Sequence, residues 1–211
     1  MRITTLILST ALAFAVSTAQ AAGPNRAPIT TTTLDAGEIE TARFMREEEK
    51  LARDVYRAMF LVWGQRIFSN IAQSEQTHMD AMARLLAQYG IPDPVTSDAV
   101  GDFQDPGLAD WFVTLTDTGT RSLEDALRVG ALIEETDIRD IQEAIDATDE
   151  TAMQAVYQHL LSGSRNHLRA YVGQLERLGV VYEPQVLSLA ELSEIVDAPT
   201  ERGTPGARRL R

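Results

Sequence analysis

The chain contains no cysteine, and its basic residues are far outnumbered by acidic ones. Without cysteine it cannot form disulfide bonds, so its hydrophobic core or a bound metal has to stabilise it. It has 19 basic and 31 acidic residues, which give a net charge of -12. Such an acidic protein is not expected to bind nucleic acid or an anionic membrane surface.

Long hydrophobic runs are also scarce. The one near the start, Leu6 to Val16, is too short to span a bilayer. Arg2 precedes it and the small residues around Ala19 to Ala21 follow it, which is typical of a secretory signal peptide. We interpret residues 1–21 as a cleaved signal peptide without stable membrane insertion. The mature protein is therefore expected to be periplasmic or secreted.

The remaining chain is predicted to hold one domain. Residues 22–34 are polar and proline-rich, as in a linker, residues 35–197 are predicted to form a helical domain, and residues 198–211 a disordered tail. Apolar residues recur with helical spacing over four long segments: about Asp35 to Val62, Arg66 to Tyr89, Ser122 to Ala147 and Asp149 to Leu178. Short helices are predicted around Leu108 to Leu115 and within Ser188 to Asp197.

The connections between the long segments predict the topology. Short turns join the first segment to the second and the third to the fourth, so the members of each pair should be antiparallel neighbours. A long connection separates the second segment from the third. Two hairpins joined by one long crossover predict an all-α, antiparallel ferritin-like four-helix bundle, with a short C-terminal helix.

Polar side chains interrupt the apolar face of every long segment. Glu75 and His78, one turn apart, both point to the core if the helix turns about 100° per residue. The same rotation brings further polar groups to the core from the other three segments: Glu48, Glu134, Asp137 and His167. Burying ionised carboxylates without partners costs several kcal/mol each. The six side chains are therefore predicted to bind two divalent cations.

Neighbouring acidic residues are assigned other roles. Three of them lie about 100° from the centre of the apolar face, at predicted surface positions: Glu47, Glu49 and Glu135. Asp137 is either a ligand or a hydrogen-bond partner of a neighbouring helix. Asp54 and Asp140 either accept the free N–H of a ligand histidine or form surface ion pairs.

The two halves of the domain also resemble each other. "EEKLARD", which begins at Glu48, aligns with "EETDIRD", which begins at Glu134. "SEQTHMDA" aligns with "GSRNHLRA", and this pairs His78 with His167 and Glu75 with Ser164. A duplicated helical hairpin would place these polar groups at one level of the bundle.

Four stretches carry a resemblance to a known family: "REEEKLARDVY", "SEQTHMDAM", "GALIEETDIRDI" and "GSRNHLRAY". They resemble the ferritin-like superfamily and, more closely, the group called domain of unknown function 2202. The resemblance implies a four-helix bundle with a di-iron or di-manganese centre. The usual ligands are one Glu from each of two helices and Glu-x-x-His from each of the other two. Here Ser164 replaces one of these Glu residues, and Asp137 is a candidate replacement ligand.

The resemblance implies a function as well. Glu75 would bridge two iron or manganese ions, with His78 and Glu48 on one ion and His167, Glu134 and Asp137 on the other. Dioxygen or peroxide would be further ligands, and ferroxidase, peroxidase or oxidase activity would follow. The alternatives are a metal-binding module for sequestration or sensing, and a structural bundle that has lost its centre. A homodimer is a candidate assembly.

Overall fold

A computed structural model describes residues 33–201, and all regular structure within that range is α-helical. The helices are α1 (Ala36–Trp63), α2 (Arg66–Tyr89), α3 (Pro106–Gly119), α4 (Leu123–Ala147), α5 (Thr151–Arg177) and α6 (Leu189–Asp197). The predicted all-α class is confirmed. The predicted signal peptide, nearly all of the linker and most of the tail lie outside the described residues. None of the six described helices is long and apolar enough to cross a membrane.

Local sequence explains where the helices begin and end. Asp35 caps α1 by accepting the backbone N–H of Glu38, whose carboxylate in turn accepts the N–H of Asp35. Gly64 ends α1 with a φ of 62°, a backbone conformation that favours glycine. Ser122 caps α4 by accepting the N–H of Asp125. These signals fall at the predicted boundaries because they depend only on residues close in the chain.

The four long helices share one hydrophobic core. The most extensive contacts join α1 to α2 and α4 to α5, and the two pairs meet through α1 with α4 and α2 with α5. Helix α3, in the connection between α2 and α4, packs on α1 and α4, and α6 packs on α5. Beyond α6, Glu201 accepts a hydrogen bond from Arg169 at 3.0 Å.

A buried network of ion pairs and hydrogen bonds connects α1 to the segment between α2 and α3. Asp54 lies between Lys50 and Arg53, and all three side chains are fully buried. Lys50 Nζ is 2.6 Å from Asp54 and also donates to the carbonyl oxygen of Ala99. The backbone N–H of Gly101 donates to Asp54 at 3.1 Å. Asp54 therefore forms ion pairs, as one of its two sequence-based roles predicted, but these pairs are buried and not on the surface.

Two other glutamates hold loops in place. Glu47 accepts the backbone N–H groups of Gln104 and Asp105, just before α3. Glu135 accepts hydrogen bonds from the segment before α6. The donors are the hydroxyl of Tyr182 and the backbone N–H groups of Gln185, Val186 and Leu187. Their predicted surface positions are wrong, because both glutamates are buried. The loops cover these helix faces, and their N–H groups need acceptors.

Candidate metal centre

Two clusters of carboxylate and imidazole groups meet between α1, α2, α4 and α5. The first contains Glu49, Glu75 and His78, and the second contains Glu75, Glu134 and His167. Within each cluster the ligand atoms lie within 4.8 Å of one another, and every member is buried. Glu75 belongs to both clusters, so one side chain from α2 connects the two.

The carboxylate of Glu75 lies between two imidazole rings. Its Oε2 lies 2.7 Å from Nδ1 of His78, and its Oε1 lies 2.8 Å from Nδ1 of His167. Despite these distances, neither oxygen has a partner with hydrogen-bond geometry. The imidazole rings stack with centroids 5.6 Å apart. Each Glu75 oxygen therefore lies close to a different imidazole nitrogen, but neither contact has the geometry of a hydrogen bond.

The first cluster corrects the ligand predicted on α1. Glu49 Oε2 is 3.1 Å from Nδ1 of His78, whereas the predicted Glu48 belongs to neither cluster. The prediction that Glu49 is on the surface is wrong, because the residue is only 2% exposed. Helix α1 is covered by α2 on one side and by α4 on another. Glu49 faces His78 of α2, and Glu48 has Asp140 of α4 as its neighbour.

The second cluster has two supporting residues. Glu134 Oε2 is 3.4 Å from Nδ1 of His167, and its Oε1 accepts a hydrogen bond from the hydroxyl of Tyr56 at 2.6 Å. Ser74 Oγ is 3.0 Å from Nε2 of His167, which leaves Nδ1 directed to the cluster. Sequence reasoning missed both supports.

Ser164 and Asp137 occupy different environments. Ser164 is buried and donates a hydrogen bond to the backbone oxygen of Leu160. Asp137 is also buried, both its oxygens lack hydrogen-bond partners, and it belongs to neither cluster. Its role as a replacement for the missing Glu at position 164 stays a prediction.

The clusters hold opposite charges close together. Burial raises the pKa of Glu49 to about 7 and that of Glu134 to about 6. Burial also acts to raise the pKa of Glu75, but the adjacent His167 and His78 outweigh it and leave that pKa well below its usual value. Burial acts to lower the pKa of His167, yet Glu75 and Glu134 raise it to about 10. Glu75 and the adjacent imidazoles thus favour each other's charged forms, and a cation would have to compete with protons for the imidazole nitrogens.

Gly163 makes room for one of the imidazoles. A Cβ atom at this position of α5 would lie 2.4 Å from Nε2 and 2.5 Å from Cε1 of His78. Both distances are far below van der Waals contact. The absence of a side chain at position 163 therefore lets His78 reach Glu49 and Glu75.

We expect Gly163→Ala to weaken metal binding at the first cluster, because the added methyl group pushes His78 away from Glu49 and Glu75. Metal titration of the purified variant should give an affinity lower by an order of magnitude or more, comparable to the loss when a group that orients a metal ligand is removed. Gly173→Ala is the matched control on the same helix, since a Cβ there meets nothing within 4 Å. Equal affinities in the two variants would contradict this role of Gly163.

Comparison with known proteins extends the similarity over most of the chain. The profile of the family described as "Uncharacterized protein domain (DUF2202)" matches residues 38–199. The chain is 50% identical over 159 residues to "Uncharacterized protein MJ0754" of Methanocaldococcus jannaschii, which covers 75% of this chain and 86% of that protein. The crystal structure of hypothetical protein MJ0754 from Methanococcus jannaschii superposes with a TM-score of 0.79 at 44% identity, over 85% of this chain and 100% of the other.

Proposed function

The chain belongs to the DUF2202 family, and we propose that it is a di-metal carboxylate protein that binds two iron or manganese ions. One observation carries this proposal. Glu75 presents its two oxygens to two different imidazole nitrogens, at 2.7 and 2.8 Å, in a fully buried position. A buried carboxylate with one imidazole on each side would suit a pair of divalent cations, as in the di-metal carboxylate bundles.

The contacts among the buried atoms of the site fit this assignment. Both oxygens of Glu75, Oε2 of Glu134 and Nδ1 of His167 form close ion-pair contacts, but none of them has a partner with hydrogen-bond geometry. Buried polar groups normally have partners, and a cation would supply one to each of these atoms. Oxygen and imidazole donors without thiolates suit iron or manganese.

The proposed ligand assignment differs from the sequence-based one on α1. Glu49 and His78 would hold one ion, Glu134 and His167 the other, and Glu75 both. Asp137 is retained as a candidate additional ligand of the second ion. Three of the four long helices then supply carboxylates, and α2 and α5 each supply one histidine.

The same assignment supports an antiparallel ferritin-like arrangement of the four long helices. Only residues 64 and 65 connect α1 to α2, and only residues 148–150 connect α4 to α5, whereas residues 90–122 separate the two pairs. Short connections favour antiparallel neighbours. One Glu from α1, one from α4 and Glu-x-x-His from α2 match the ligand pattern of that bundle class, with Ser164 as the departure on α5.

For activity, we propose oxidase, peroxidase or ferroxidase chemistry. When bound, two redox-active ions would supply the electrons that reduce dioxygen or peroxide. The chain's own residues bind and orient: Tyr56 fixes the Glu134 carboxylate, and Ser74 fixes the His167 ring. Consumption of dioxygen or peroxide by the ferrous-loaded protein tests this activity. Tight binding without consumption would support sequestration or sensing instead.

The proposed location is the periplasm or the cell exterior. It rests on the predicted signal peptide in residues 1–21, which lie outside the described range. A mature N terminus near residue 22, in protein isolated from its native cells, would support this location. Retention of residues 1–21 would contradict it.

We expect metal to stabilise the folded protein, because the ligands converge only in the native state. At a free metal concentration of about 100 times the Kd, the gain is about 2.7 kcal/mol. For a domain of this size that corresponds to a rise in Tm of several degrees. Thermal melts of metal-free protein with and without Mn²⁺, or with Fe²⁺ under anaerobic conditions, measure the effect. An unchanged Tm at saturating metal would favour a structural bundle without a functional centre.

A further inference from the structure

Glu48 and Asp137 are buried carboxylates that the two ligand clusters leave unexplained. Their side chains are 2% and 1% exposed. Oε1 of Glu48 and both oxygens of Asp137 lack hydrogen-bond partners. Two acids kept buried in this way destabilise the metal-free protein. A role in binding or transferring cations would account for both buried carboxylates.

On α4, Glu134 of the second cluster, Asp137 and Asp140 follow one another at intervals of three residues, so their side chains lie about one turn apart along one side of the helix. Burial raises the pKa of Asp137 well above its usual value, and the next causes are the charges of Glu48 and of the cluster carboxylates, Glu49 first among them. Burial likewise raises the pKa of Glu48, and Asp140 is the next cause. Asp137 thus neighbours both Glu48 and the clusters, while Glu48 neighbours Asp140.

Asp140 reaches solvent between α1 and α4. Its side chain is 20% exposed and lines an open groove of about 460 Å³. Glu40 and Glu143 line the same groove, and both are exposed. Arg139 pairs with one oxygen of Asp140 at 2.8 Å but is itself 47% exposed, so solvent weakens this pairing. The groove therefore carries three acidic side chains, and one of them, Asp140, neighbours the buried Glu48.

We propose that divalent cations reach the buried centre from this groove, passing from Asp140 to Glu48 and Asp137. This uptake route rests on the proposed metal function. Fe²⁺ and Mn²⁺ both bind carboxylate oxygens, so either ion can exchange bound water for them. Carboxylates that line a cleft in the low-dielectric protein raise the local concentration of cations at its mouth. Carboxylates deeper in the protein then offer a cation successive ligands toward the centre.

A second pocket, of about 200 Å³ between α2 and α5, also adjoins the centre. It is lined by imidazole, hydroxyl and amide side chains, among them His78, His159, Ser162 and Asn166, and by no carboxylate. The carboxylate of Glu201 accepts a hydrogen bond from Ser162, but it is already paired with Arg169, so the described lining offers no free negative charge to a hydrated cation. His159, exposed in this pocket, offers a control position away from the proposed route.

The test measures how fast metal-free protein takes up Co²⁺, followed by the visible absorption of the bound ion. Asp140→Asn and Glu48→Gln should each slow uptake by about tenfold or more, the lower end of electrostatic effects on association rates. Both variants should still bind two ions per chain at equilibrium, with affinities close to that of the wild type. His159→Gln and Asp80→Asn are controls, since Asp80 is an exposed acid on α2. The controls should change the rate by less than about twofold.

Three results would overturn the route. Equal uptake rates for Asp140→Asn and Asp80→Asn would show that the groove does not guide cations. Slow uptake in His159→Gln alone would assign uptake to the pocket between α2 and α5. Loss of an ion at equilibrium in Glu48→Gln would make Glu48 a ligand rather than a transit residue. Failure of the wild type to bind any ion is a separate outcome, because it refutes the proposed function itself.

Discussion

Glu75→Gln is expected to remove both metal ions at once. The carboxylate faces an imidazole nitrogen with each of its oxygens, and an amide offers only one oxygen with a lower charge. Even the loss of an outer-shell partner weakens metal affinity 10- to 100-fold, so the loss of the bridging ligand should weaken it on the order of 100-fold or more. Glutamine has nearly the same volume, so the packing of α2 should survive. Metal content after equilibrium dialysis measures the effect.

Single-cluster variants provide the matched controls. Glu49→Gln should reduce binding mainly at the ion near His78, and Glu134→Gln mainly at the ion near His167. Each should therefore retain one tightly bound ion where Glu75→Gln retains neither. Two tightly bound ions in Glu75→Gln would show that Glu75 is not the bridge and would leave the centre without its connecting ligand.

Asp54→Asn is expected to lower the free energy of unfolding by about 3–5 kcal/mol, the range for removing one partner of a buried ion pair. Asp54 is the shared acceptor of Lys50 and Arg53, and all three side chains are fully buried. Without its charge, two cations remain in the interior with reduced compensation. Arg53 retains Asp98, but that carboxylate is 79% exposed. Urea unfolding of the metal-free variant and wild type measures the difference.

Asp93→Asn is the control for this prediction. Asp93 also pairs with an arginine of α1, Arg46, at 3.1 Å, but its side chain is 37% exposed. Solvent screens such a pair, so the change should lower stability by less than about 1 kcal/mol. Similar losses for Asp54→Asn and Asp93→Asn would mean that the buried network contributes no more than a surface ion pair.

The stretch from Glu47 to Asp54 on α1 thus combines two tasks. Glu49 contributes to the candidate metal centre, while Glu47 and Asp54 hold the chain around α3. Successive residues of a helix point about 100° apart, so one charged stretch can face several neighbours. A variant in this stretch can consequently change metal binding, stability or both, which is why each prediction above has its own control.

The sequence by itself determined the helices and most of the candidate centre. Capping residues such as Asp35 and Gly64 act on backbone groups a few positions away, so helix boundaries could be predicted locally. Helical periodicity likewise predicted that Glu75 and His78 lie inside. Their burial is observed, because a helix directs its apolar face, and any polar residue on that face, toward the core.

Tertiary structure decided which of several neighbouring acids meets which partner. Periodicity placed Glu48 at the centre of the buried face and Glu49 outside it, yet Glu49 contacts His78 while Glu48 neighbours Asp140. Glu135 is buried because a loop about 50 residues later in the chain covers it. The rotation of a helix defines the direction of each side chain only relative to its own axis. Which helix or loop lies in that direction depends on contacts between residues far apart in the chain, and no local pattern encodes them.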